Sequence, residues 1–168
     1  MVAMVDELKI PAQALAEISP NKMEPGTLFL FRGSWALRVF HAAGLQAFLM
    51  LEGERAGSVF EVYEDMAEEV AIIRPFGWFP MTSMPVEPAP QADWPLTMLL
   101  TESGPAILGK YEEHGGRVSN LAFNPKGECI PAANLHRATR LARWSIGLCY
   151  ADRPFQSLGT VLQIDRLS

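Results

Sequence analysis

TLFLFRGSWALRVFH, residues 27–41, is the stretch on which the fold class turns. Its first six residues are apolar almost throughout. After Gly33-Ser34, an extended chain puts Trp35, Leu37 and Val39 on one face and Ala36, Arg38 and Phe40 on the other. Two such runs joined by Gly-Ser predict a β-hairpin that turns at 33–34. A helix across 35–51 is the competing reading. Gly44 and the β-branched and aromatic residues on both flanks weigh against it.

Outward from the hairpin the same alternation continues. LQAFLMLE (45–52) and SVFEVY (58–63) read as strands separated by the turn GERAG (53–57), and VAIIRPF (70–76) as another, stopped by Pro75. EDMAEE (64–69) is an acidic loop or one helical turn. Strands are expected again at LTMLL (96–100), AILGKY (106–111), RVSNLAF (117–123) and LGTVLQID (158–165). Strand, short turn, strand, histidine-glycine turn, strand and glycine turn occur at 27–57 and again at about 97–128, offset by roughly 70 residues. This order admits two pseudo-repeated meanders, although residue identity between them is poor.

Two segments read as helical. PAQALAEIS (11–19) has Pro11 near its first turn and Pro20 at its end, which predicts a short N-terminal helix. In PAANLHRATRLARW (131–144), Asn134 is a suitable N-cap and Leu135, Ala138 and Ala142 share a helical face, so a helix is expected near 134–142 and a strand from there to Tyr150.

The chain has 168 residues, 49% hydrophobic and 20% charged, with thirteen glycines and thirteen prolines. One mainly β domain is expected, an antiparallel barrel or sandwich, with an α+β arrangement as the lesser alternative. Its parts are an entry segment (1–22), a first β half (23–84), a proline-rich crossover (85–95) and a second β half (96–168). A net charge of −5 argues against nucleic acid as the main partner. MVAMVDELKI lacks the basic start and apolar run of a signal peptide, and no apolar run is long enough for a membrane span. A cytoplasmic protein with two reduced thiols, Cys129 and Cys149, is the expectation.

No nucleotide, zinc-protease, hydrolase or calcium-loop signature is present. No cofactor and no metal are expected, and a catalytic residue is not identified. Two groups stand out as ligand-binding candidates. On a helix, Arg137, Arg140 and Arg143 sweep round one side beside His136, and like charges at that spacing suit an anion among them. Phe76, Trp78 and Phe79, with Met81 and Met84, form an apolar set just before the prolines, and that set must contact something. Either it packs in the core or it lines a ligand mouth. These groups predict a non-catalytic binding module for a small anionic or amphipathic ligand, or for a protein partner. One alternative is a hydrolase or isomerase acting on a small acid, with His114 or His136 as base and an arginine clamp. Another is a structural homo-oligomer subunit in contact through 76–84.

Overall fold

The computed structural model describes residues 9–41, 44–82, 94–131, 135 and 137–165. A 3-10 turn at Ala12–Ala14 leads into β1 (Leu15–Ile18), and a second at Pro20–Lys22 precedes the hairpin strands β2 (Leu28–Phe31) and β3 (Ser34–Phe40). Next come β4 (Gln46–Met50), β5 (Ser58–Glu61), β6 (Glu69–Ile72) and β7 (Phe76–Met81). The later part holds β8 (Met98–Thr101), β9 (Gly104–Glu112), β10 (Val118–Phe123) and β11 (Cys129–Ile130). It ends with β12 (Thr139–Leu141), β13 (Arg143–Tyr150) and β14 (Gly159–Asp165). The protein is mainly β.

Among the described residues neither expected helix forms. Leu15-Ala-Glu-Ile18 has helix-forming residues, yet it pairs antiparallel with β6, Leu15 opposite Ile72 through Ile18 opposite Glu69. Thr139-Arg-Leu141 pairs with β8 in the same way. In both places ladder hydrogen bonds to an open strand edge override a weak local preference. The hairpin turn also lies one residue earlier than expected. Phe31 pairs with Ser34, and the two loop residues are Arg32 and Gly33, at φ +49° and +84°. Positive φ at both positions matches the right-handed twist of the flanking strands, and glycine takes the second position without strain.

The large sheet runs β1-β6-β2-β3-β4-β5-β9-β10-β11, with β8 pairing the first half of β9 on its β5 side and β12 beyond it; β14-β13-β7 form a second sheet. Of the barrel or sandwich expected, a closed barrel does not form, because the run ends at β1 and at the two-residue β11. Between the sheets lies the main core. Leu28, Leu37, Leu49 and Ile107 of the large sheet meet Trp144, Ile146 and Leu148 of the small one. Burying each such side chain contributes about 1.5–3 kcal/mol, so this layer is the main source of stability.

The opposite, outer face of the large sheet can be followed through its register. Phe29 pairs with Ala36, Ala36 with Met50, Phe48 with Phe60, Ser58 with Lys110, and Leu108 with Ala122. Directly paired residues share a face, so all of these point the same way. Two smaller clusters sit on that face, one around Phe29, Phe48 and Met66 and the other around Leu99, Leu108 and Ala122.

Backbone contacts recur 70 positions apart. Leu28 pairs with Leu37, and Met98 with Ile107; Gly26 N–H donates to Arg38 O at 2.7 Å, and Leu96 N–H to Leu108 O at 2.6 Å. Across the two halves, Phe40 N–H donates to Gly127 O and Lys110 N–H to Gly57 O, both at 2.7 Å. Strands β7 and β13 pair with Phe76 opposite Tyr150 and Met81 opposite Ser145.

Candidate functional site

The outer face of the first half carries an aromatic group that the sequence reading did not single out. Phe48 projects from β4, and its ring centroid lies 4.8 Å from that of Phe31, 5.6 Å from Phe60 and 5.9 Å from Phe29. Phe31, Phe48 and Phe60, with Met50 and Met66, line a recess of about 400 Å³. Tyr63 stands beside it, 61% exposed. Arg32 and Arg55 complete the rim, the Arg32 guanidinium lying 5.1 Å from the Phe31 ring centroid in a cation–π contact. Among the described residues neither arginine forms an ion pair. Phe48 itself is buried, whereas Phe31 and Phe60 are half-buried, so the recess is apolar at its base, and Glu61 lines it beside Arg32 and Arg55.

Its wall is held in place from behind. Ser19 Oγ donates to Met66 O at 2.6 Å and also contacts Asn21 Oδ1, which fixes the 62–68 loop against the sheet. Arg38, 1% exposed, then ties the 19–22 turn to β3 and β4. Its Nε donates to Pro20 O at 2.8 Å, one terminal nitrogen to Val39 O at 2.6 Å and Ala47 O at 3.1 Å, and the other to Gln46 Oε1. Every acceptor is neutral, and burial pushes the guanidinium below its ordinary pKa. This buried cation is stabilised by hydrogen bonds alone.

Beyond Phe60 a second groove of about 510 Å³ runs over the β9–β10 hairpin, lined by Ser58, Lys110, Glu112, Glu113 and His114 among others. A larger hollow of about 900 Å³ lies at Arg74-Pro75 and Tyr150–Arg153. All of its lining residues are exposed, so nothing there encloses a ligand.

Among the described residues no helix carries the three arginines. Arg137 is exposed in a turn, Arg140 sits in β12, and Arg143 opens β13 with its Nε 3.1 Å from Asp165 Oδ2. His136 lies outside the described residues, as do Met84 and most of the 85–95 crossover. The aromatic group before the prolines is divided. Phe76 is buried with its ring 4.9 Å from that of Tyr150, and Trp78 Nε1 donates to Gly26 O at 2.9 Å while packing against the main core. Phe79 meets Phe155 edge-on at 6.5 Å. None of these residues lines the recess.

The His41 ring lies tilted against Tyr111 with centroids 5.5 Å apart, and Tyr111 Oη donates to Glu61 Oε1 at 2.5 Å. Among the described residues no three histidine, cysteine, aspartate or glutamate side chains gather as a metal set, and no helix is long and apolar enough to cross a membrane. Compared with protein-family models, with curated proteins and with solved structures, the chain matches none.

Proposed function

We propose that this protein is a non-catalytic binding module for a small amphipathic ligand, seated by its apolar part in the recess over Phe48 with its acidic part toward Arg32 and Arg55. One observation carries the reading. The recurrence at 70 residues supports a chain built from two copies of one unit about a pseudo-two-fold axis, so each position of one copy has a counterpart in the other. By register, Phe29, Phe31, Phe48 and Phe60 correspond to Leu99, Thr101, Ala122 and Ile130. The second copy holds the same scaffold with a leucine, a threonine, an alanine and an isoleucine at these places, so the fold does not require four phenylalanines on this face. Of the four, Phe31 and Phe60 are partly exposed, and partly exposed rings that a scaffold does not need suit a ligand.

The cations fit the same reading. Arg32 corresponds to Glu102 at the equivalent hairpin turn, so the positive rim also belongs to one copy alone. A guanidinium next to an apolar wall binds carboxylate or phosphate oxygens as a bidentate fork.

Calorimetric titration with n-decanoate below its micelle concentration tests the proposal. Saturable one-to-one binding is expected, weakened roughly tenfold by the double substitution Phe60→Ala, Tyr63→Ala, which removes about 1.5 kcal/mol or more of contact. Wild-type affinity in a folded double variant would refute the assignment.

A further inference from the structure

The three rings of the recess are arranged more specifically than an apolar surface requires. The sheet order β2-β3-β4-β5 places Phe31 and Phe60 on opposite sides of Phe48. Neighbouring strands lie about 4.8 Å apart, so the β2 and β5 backbones are separated by about 14 Å. Both outer rings lean inward over Phe48, their centroids 4.8 and 5.6 Å from its own and their planes tilted by 45° and 37°. Phe31 and Phe60 make no ring contact with each other, and the two distances taken end to end hold them within about 10 Å. Phe48 is thus the floor of an open trough, and two tilted rings are its sides.

A flat ring seated between two ring faces needs about 3.5–4 Å on each side, which the trough provides. Aromatic pairs are most favourable with centroids about 4.5–7 Å apart, and a ring resting on Phe48 reaches all three phenylalanines within that range. Tyr63, 61% exposed and without a ring contact among the described residues, stands beside the opening. Met50 and Met66 add thioethers, which also favour aromatic neighbours. An alkyl chain in the same place gains burial alone. At the counterpart of Phe60 the scaffold carries Ile130, and a branched aliphatic buries an alkyl chain as well as phenylalanine does. Three rings add something only for a ligand that is itself aromatic. The charges limit its other end: Arg32 and Arg55 are opposed on the recess by Glu61 alone, which already accepts from Tyr111 Oη. One net positive charge suits one acidic group.

We infer that the recess is selective for a planar aromatic monoacid, its ring on the Phe48 floor between Phe31 and Phe60 and its carboxylate toward Arg32 and Arg55. The inference rests on the recess being a ligand seat, and it names the class of ligand. The second copy has no such trough, because Thr101, Ala122 and Ile130 stand where these three rings do.

Calorimetry with 2-naphthoate, its saturated analogue decahydro-2-naphthoate and 2,6-naphthalenedicarboxylate tests this on the full chain. The two monoacids share skeleton and charge and differ in flatness and aromaticity. 2-Naphthoate is expected to bind roughly tenfold more tightly than the decahydro acid, and more tightly than the dicarboxylate. Phe60→Ile, a residue that the scaffold accepts at the counterpart position, should reduce the tenfold ratio to about threefold or less. It should leave the decahydro acid within about twofold of its wild-type affinity. Equal affinities of the two monoacids for the wild type, or a tenfold ratio that survives Phe60→Ile, overturn the aromatic assignment and leave the recess assignment standing. A dicarboxylate that binds as tightly as 2-naphthoate overturns the single-acid assignment. If n-decanoate and both monoacids all fail to bind the wild type, recess and ligand class fall together.

Discussion

Phe40 donates its backbone N–H to the carbonyl of Gly127 at 2.7 Å, and Lys110, 70 positions after Phe40, does the same to Gly57, 70 positions before Gly127. The two halves thereby clasp each other through matched bonds. Each acceptor is a glycine at positive φ, +88° for Gly57 and +79° for Gly127. A Cβ on Gly57 would lie 2.2 Å from Pro95 Cβ, and one on Gly127 would lie 2.5 Å from Arg38 O.

Gly57→Ala and Gly127→Ala should therefore each destabilise the protein by about 2 kcal/mol or more, through left-handed strain plus overlap. Gly33→Ala, at φ +84° with nothing within 4 Å of the new Cβ, should cost only about 1 kcal/mol. Urea unfolding midpoints check the ranking. Equal costs at all three positions would contradict the clasp.

Arg38 corresponds to Leu108 in the other half, yet Leu is not a neutral replacement. Arg38→Leu removes the side-chain donors from the Pro20, Val39 and Ala47 carbonyls and with them the tie from the 19–22 turn to the sheet, and a loss of about 2 kcal/mol is expected. Arg38→Lys should rescue less than half of it, because one ammonium cannot reproduce the fork. Thermal unfolding of the three proteins settles the comparison.

Tyr111 titrates above the ordinary phenol range, chiefly because its hydroxyl donates to Glu61, with burial and the Glu61 and Glu113 charges acting in the same direction. The folded state thus favours the protonated phenol. Its contribution is full below the unfolded pKa of about 10 and is lost as pH rises through the higher folded value. Tyr111→Phe should cost about 0.5–1 kcal/mol at pH 7, a modest figure because Glu61 is exposed. That difference should stay flat from pH 7 to 9 and shrink above. A difference that grows with alkaline pH would contradict the assignment.

Cys149 is 1% exposed and burial pushes its thiol up, whereas Cys129 is half-buried. A disulfide-exchange reagent should modify Cys129 first and Cys149 about a hundredfold more slowly or less, at the rate of global opening. Stopped-flow traces of Cys149→Ser should retain the fast phase.

The strands of 27–63 were legible because their apolar alternation is long and punctuated by glycine. The helices were not. Leu15–Ile18 and Thr139–Leu141 are short, and partners distant in sequence, Glu69–Ile72 and Met98–Leu100, decide their conformation. The recess was illegible for a related reason. Phe31, Phe48, Phe60 and Tyr63 come from three strands and a loop, and alternation shows that they share a face only once the register is known. The arginines at 137, 140 and 143 drew attention by their spacing, which has meaning on a helix and none on the strands that form. Counting phenylalanines in the two meanders is the one signal that would have found the asymmetry.

The recess is tested most directly by carbon-13 methyl spectra of methionine-labelled protein during titration with n-decanoate. Met50 and Met66 line the recess, while Met98 is buried in the main core and Met81 packs against the backbone at Gly147. Saturable shifts of the Met50 and Met66 methyls with one common Kd, and still signals from Met81 and Met98, are the predicted result. Unmoved Met50 and Met66 signals, or equal shifts at all four, would contradict it.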